Sequence, residues 1–95
     1  MELTGKQKRF LRSMGNRMEA VIIGHAGLSE NVLKDLILKI SKEELVKIRI
    51  NKSTGKDMEE LLNTLCDELN ATIVQTFGST ALLYKQSSGV IKLPK

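Results

Sequence analysis

Between Ala20 and Ile50 the apolar pattern changes period twice. Ala20-Val21-Ile22-Ile23 is a short, wholly apolar, largely β-branched run that ends in Gly24-His25-Ala26-Gly27. From Ser29 the spacing turns helical, with Val32, Leu33, Leu36, Ile37 and Ile40 on one stripe and Lys34, Lys39 and Lys42 off it. Leu45 to Ile50 then alternates, sending Val46, Ile48 and Ile50 one way and Lys47 and Arg49 the other. The first run reads as a buried strand, the stripe as a helix capped by Ser29, and the alternating segment as a strand with one buried and one basic face. Strand, helix and strand in this order make a crossover, which restricts the chain to an α/β fold.

The rest of the chain extends that unit. Thr4 with Gln7 three residues on is a capping-box pattern, so a helix opens there, with Phe10, Leu11, Met14 and Met18 at helical spacing. Gly15-Asn16 reads as its stop, with the glycine available for a left-handed cap. Asp57 and Glu60 make a second capping box, for a helix whose apolar set is Met58, Leu61, Leu62, Leu65, Cys66 and Leu69, with Asn70 as its C-terminal cap. Thr72–Phe77 and Thr80–Lys85 read as strands joined at Gly78-Ser79 by a two-residue hairpin. The predicted order is α-β-α-β-α-β-β, with a four-stranded mixed sheet and packed helices. No repeat or linker divides the 95 residues, so a single compact domain over 1–95 is expected, with residues 86–95 as a short tail. Lys47 and Arg49 imply that one sheet face is at least partly open to solvent.

Composition removes several function classes. One Cys and one His cannot build a Cys/His zinc site, and no metal or other cofactor is expected. Cys66 lies on an apolar stripe and reads as a core residue rather than a nucleophile. No carboxylate pair, nucleophile elbow or metal constellation stands out, so an enzyme is not expected. With no Trp, one Tyr and two Phe, an aromatic platform for stacking bases is nearly excluded. No apolar run approaches the roughly 18–20 residues of a membrane-spanning helix, and no signal-peptide pattern opens the chain. A cytoplasmic protein is the expectation, with no membrane partner.

Charge gives the positive clue. Residues 1–17 hold Lys6, Lys8, Arg9, Arg12 and Arg17 against Glu2 alone, and the remaining ten basic and ten acidic side chains cancel. The entire formal net charge of +4 therefore sits in the first segment. Lys8, Arg9 and Arg12 fall on the helix face opposite Phe10, Leu11 and Met14. Lys8 and Arg12 are like charges at i, i+4, which costs an isolated helix a few tenths of a kcal/mol and which an anionic partner reverses. Glu59, Glu60, Asp67 and Glu68 on the third helix would repel such a partner from their side. Gly24-His25-Ala26-Gly27 joins the carboxyl end of a strand to a helix start, where unpaired N–H groups suit phosphate. By itself G-x-x-G is also the pattern of a tight strand-to-helix turn. It lacks the third glycine of a dinucleotide-binding fingerprint.

Taken together, these segments resemble a known family. Leu3 to Arg12, Val21 to Ser29, Glu44 to Ile50 and Gln75 to Lys85 are similar, in order and spacing, to the CRM domain (chloroplast RNA splicing and ribosome maturation). Ile91-Lys92-Leu93-Pro94-Lys95 resembles the tail of its stand-alone bacterial members, the YhbY family. The resemblance implies a fold similar to the C-terminal domain of translation initiation factor three. It also implies RNA binding, with association to precursors of the large ribosomal subunit. The family's G-x-x-G loop, its proposed RNA contact, maps onto Gly24, His25, Ala26 and Gly27. Many members carry Lys or Arg between the glycines. Here His25-Ala26 stands there, so backbone N–H groups and the basic helix must carry more of the binding.

The expected function is therefore binding of ribosomal RNA by phosphate capture, assisting large-subunit assembly. The candidate residues are Gly24, His25, Ala26, Gly27, Lys6, Lys8, Arg9 and Arg12, with Lys34, Lys47 and Arg49 as secondary contacts. The alternative is a protein-interaction module that docks on a ribosomal protein or assembly factor. A monomer is the expected state.

Overall fold

The computed structural model describes residues 3–23, 29–50, 58–86, 91 and 93. Its elements are α1 (Gly5–Gly15), β1 (Val21–Ile23), α2 (Glu30–Glu43), β2 (Leu45–Ile50), α3 (Met58–Leu69), β3 (Thr72–Phe77) and β4 (Thr80–Tyr84). Local chemistry sets most of their ends. Thr4 Oγ1 accepts the Gln7 N–H while Gln7 Oε1 accepts the Thr4 N–H, so the capping box forms in full. Ser29 Oγ accepts the Val32 N–H at the start of α2. Asn70 ends α3 with φ 53°. Gly78 takes φ 58° and Ser79 stays in the ordinary negative range, the pattern of a type II′ hairpin. Asp57 lies outside the described residues.

The four strands form one mixed sheet in the order β1-β2-β4-β3. β1 and β2 are parallel; β2 with β4, and β4 with β3, are antiparallel. The crossovers through α2 and α3 step across the sheet in the same direction. With the usual right-handed sense, both helices must then lie on one face. They do: Leu36 and Ile40 of α2 and Leu61, Leu65 and Leu69 of α3 share one core with Ile23, Val46, Ile48, Ile50, Ala81 and Leu83. α1 takes the other face. Its Leu11, with Met14 against it, packs on Leu45, Val74, Leu82 and Tyr84. The predicted α/β architecture is the observed one, built as three layers: α1, sheet, and the α2–α3 pair.

Several local expectations change. Gly15 takes no left-handed conformation, and Asn16, in the right-handed region, caps α1. The glycine is needed for space, because a Cβ there would stand 2.8 Å from Leu82 Cδ2. Phe10 is exposed rather than part of the α1 stripe. β1 is a buried strand on one side only. It is an edge strand beyond the reach of α1, and Ile22 is 64% exposed. The register skips at Val74 in β3, and the extra residue leaves both Val74 and Gln75 toward α1.

Residue 91 also belongs to the core. Ile91 packs with Tyr84 and Leu45 on the α1 side, and Leu93 lies against the same cluster. Residues 91 and 93 therefore lie against the α1 face of the sheet.

Candidate nucleic-acid interface

α1 places four basic side chains on one side of the sheet. Lys6, Lys8, Arg9 and Arg12 are all exposed, and the helix carries no acidic residue. Leu11 and Gly15 anchor its inner face, so Arg12 and, one turn back, Lys8 flank the line of contact with the sheet. Arg12 lines a narrow notch with Gly15, Asn16, Lys47, Gln75, Phe77 and Leu82. Two of the sequence candidates, Arg12 and Lys47, thus meet across the helix–sheet junction.

Lys47 is not the open, solvated residue that alternation implies. α1 crosses over it, leaving it half-buried, and its Nζ donates to the Gly15 carbonyl at 3.4 Å. A cation under a helix C-terminus meets the negative end of the helix dipole, so Lys47 helps to seat α1. Arg49, two residues on and beyond the helix, is exposed. The basic face of β2 is accordingly half covered and half open.

The open part has a definite composition. Register places Ile22 beside Arg49, Arg49 beside Thr80, and Thr80 beside Phe77. These four residues make one row across all four strands, on the side of the sheet that α1 occupies. Phe77 is 49% exposed. Sequence reasoning missed Phe77, Gln75 and Ile22. The available signal was the position of Phe77, immediately before the hairpin glycine at the end of a strand.

Lys34 is exposed on α2 and lies across the sheet from α1, so it does not join Arg12, Lys47 and Arg49. Gly24, His25, Ala26 and Gly27 lie outside the described residues. Ile23, which precedes them, pairs with Ile50 beside the Ile22–Arg49 pair, so the chain leaves β1 at the end of the sheet that holds the open row.

Charge divides by layer. α3, on the far face, carries Glu59, Glu60, Asp67 and Glu68 and no basic residue. α2 carries three acidic and three basic side chains. The two faces of the sheet therefore have opposite character, basic over α1 and acidic over α3. A polyanion is drawn to the first and repelled from the second.

The described residues hold no group of three His, Cys, Asp or Glu side chains able to bind a metal ion. Cys66 is partly buried beside the core, and burial, with the Asp67 carboxylate adding to it, pushes its thiol above the usual range. That is the opposite of an activated nucleophile. No helix among the described residues is long and apolar enough to cross a membrane.

Residues 3–85 match the family model of the CRS1/YhbY (CRM) domain. The chain belongs to that family. It is 34% identical over 86 residues to Probable RNA-binding protein YqeI of Bacillus subtilis, covering 90% of each chain. It is 33% identical over 88 residues to Probable RNA-binding protein PA4753 of Pseudomonas aeruginosa, covering 92% of this chain and 85% of that one. The solution structure of the hypothetical protein SAV1595 from Staphylococcus aureus superposes with a TM-score of 0.76 at 30% identity, over 98% of both chains. The CRM chain thus shares its fold with a solved structure over nearly its whole length.

Proposed function

We propose that this CRM protein binds ribosomal RNA in precursors of the large subunit and assists their assembly, acting by phosphate capture. The observation that carries the reading is the charge division: four cations and no anion on α1, four anions and no cation on α3, with the sheet between them. Lys6, Lys8, Arg9 and Arg12 attract the RNA backbone and displace its counterions. Arg49 extends the same surface on the sheet, and Lys47 contributes charge while holding the end of α1. Gly24 to Gly27 follow β1 in the chain, and in this reading their backbone N–H groups contact phosphate; Lys34, across the sheet on α2, stands apart from this surface. The relatives named as RNA-binding proteins support RNA as the partner class.

Salt-titrated binding to a large-subunit ribosomal RNA fragment tests this. Neutralising five phosphates of single-stranded RNA gives a slope of log affinity against log salt of about −3.5. A slope near zero overturns phosphate capture. Association with pre-ribosomal particles that survives ribonuclease treatment overturns RNA as the partner and assigns a protein instead.

A further inference from the structure

We propose that the open row Ile22–Arg49–Thr80–Phe77 seats an unpaired nucleotide of the bound RNA, its base stacked on Phe77 and its phosphates held by Arg49 and Arg12. The proposal rests on the RNA-binding reading and adds which form of RNA the site selects.

The row is apolar at both ends and cationic within. Phe77 presents half its surface to solvent and Ile22 nearly two thirds, yet both stand on a sheet face whose neighbouring part is closed by α1. Phe77 and Arg49 are two strand spacings apart, about 10 Å. Arg12 and Lys47 line the same notch as Phe77. An aromatic face within reach of guanidinium groups is the arrangement that holds a base and its phosphate together. A base inside a duplex shows only its edge, so the ring can be used only by a base that is splayed out of pairing.

Charge selects the occupant. A second copy of the chain would set Arg12, Arg49 and Lys47 against themselves, whereas a polyanion neutralises them. On its other side Phe77 borders a groove lined by Glu59, Leu62, Asn63, Ile73, Thr76 and Gly78. The carboxylate there turns the backbone away and keeps it on the α1 side. Phe77 is one ring rather than a platform, so it serves one base and imposes little preference for which base it is.

The test compares a 12-nucleotide single-stranded oligoadenylate with a 12-base-pair RNA duplex across a salt titration, using the full chain. Wild type should prefer the single strand. Phe77→Ala and Phe77→Leu should each lose at least about fivefold in affinity for it, with duplex affinity and salt slope unchanged. The chain has no tryptophan, so Phe77→Trp supplies a single reporter. Its emission should be quenched by the single strand and not by the duplex. Phe77→Ala binding the single strand as wild type does, or F77W emission unmoved by it, overturns the seat and leaves the α1 reading standing. Wild type without salt-dependent binding to either RNA overturns the RNA reading, and the seat with it.

Discussion

The carboxylate of Glu44 accepts a hydrogen bond from the backbone N–H of Ile91 at 2.7 Å, inside the protein. Glu44 is fully buried and holds a left-handed conformation, φ 67°, where α2 ends. Its N–H donates to the Ile40 carbonyl at 2.9 Å, and its own carbonyl accepts the Lys85 N–H at 2.8 Å. One residue therefore ties the end of α2, the start of β2, the end of β4 and the returning chain at residue 91. Glu44→Ala removes a charged acceptor and leaves a buried N–H without it. It should cost about 2 kcal/mol in urea unfolding. Glu44→Gln keeps a carbonyl acceptor and should lose less than half as much. Equal losses in the two variants would show that the acceptor is not what matters.

Tyr84 makes the opposite point on the neighbouring strand, across from Leu45. Its ring is buried, and its hydroxyl has no hydrogen-bond partner among the described residues. Burial, with the Glu44 carboxylate adding to it, raises the phenol above its ordinary value of 10.0. A raised native pKa means that the folded protein holds the proton more tightly than the unfolded chain. The associated stability is complete below pH 10.0 and is lost as pH rises through the native value. Tyr84→Phe should abolish that alkaline loss. It also removes an unsatisfied buried hydroxyl, so it should be neutral or stabilising by up to about 1 kcal/mol at pH 7. Denaturant midpoints of both proteins between neutral and strongly alkaline pH decide the matter.

Gly15 and Leu82 fix how closely α1 approaches the sheet. A methyl group at position 15 would meet Leu82 Cδ2 at 2.8 Å and Cδ1 at 3.0 Å, and Leu82 is buried with little room to turn. Alanine gains about 1 kcal/mol in helix propensity over glycine, but overpacking costs about 1–3 kcal/mol. Gly15→Ala should therefore be net destabilising by about 1 kcal/mol. In a Leu82→Val background the sign should reverse, since the shortened side chain vacates the space. A thermal-unfolding double-mutant cycle reads this coupling directly.

Features set by neighbours in the chain were legible from sequence. The Thr4–Gln7 capping box, the Ser29 cap and the Gly78-Ser79 hairpin each need only a few adjacent residues, and each forms as the spacing indicates. The order of elements followed from the changes of period. What depended on tertiary placement was not legible. Alternation in β2 identified its two faces but not that α1 lies over Lys47 and stops short of Arg49. An apolar run such as Val21-Ile22-Ile23 says nothing about lying at a sheet edge, where half of it stays uncovered. Phe77 gained a place beside Arg12 only through the bulge at Val74 and the β3–β4 register. Glu44 gave no sign of burial, because its partner is 47 residues away. Gly24 to Gly27, the loop that the sequence offers as a phosphate contact, lie outside the described residues.

The division of charge between layers makes the last prediction. If RNA lies on the α1 side, charge should matter by position and not by total. Arg9→Glu with Arg12→Glu removes two phosphate contacts and should reduce the magnitude of the salt slope by about 1.4. Asp67→Lys with Glu68→Lys makes a change of the same size and opposite sign on α3, across the sheet. It should raise affinity modestly through the longer-range field and leave the slope as in wild type, since no new phosphate is neutralised there. Both pairs are exposed, so neither should disturb folding by more than a few tenths of a kcal/mol. An α3 reversal that steepens the slope would place RNA on the far layer, and an α1 reversal without effect would remove the first helix from the interface.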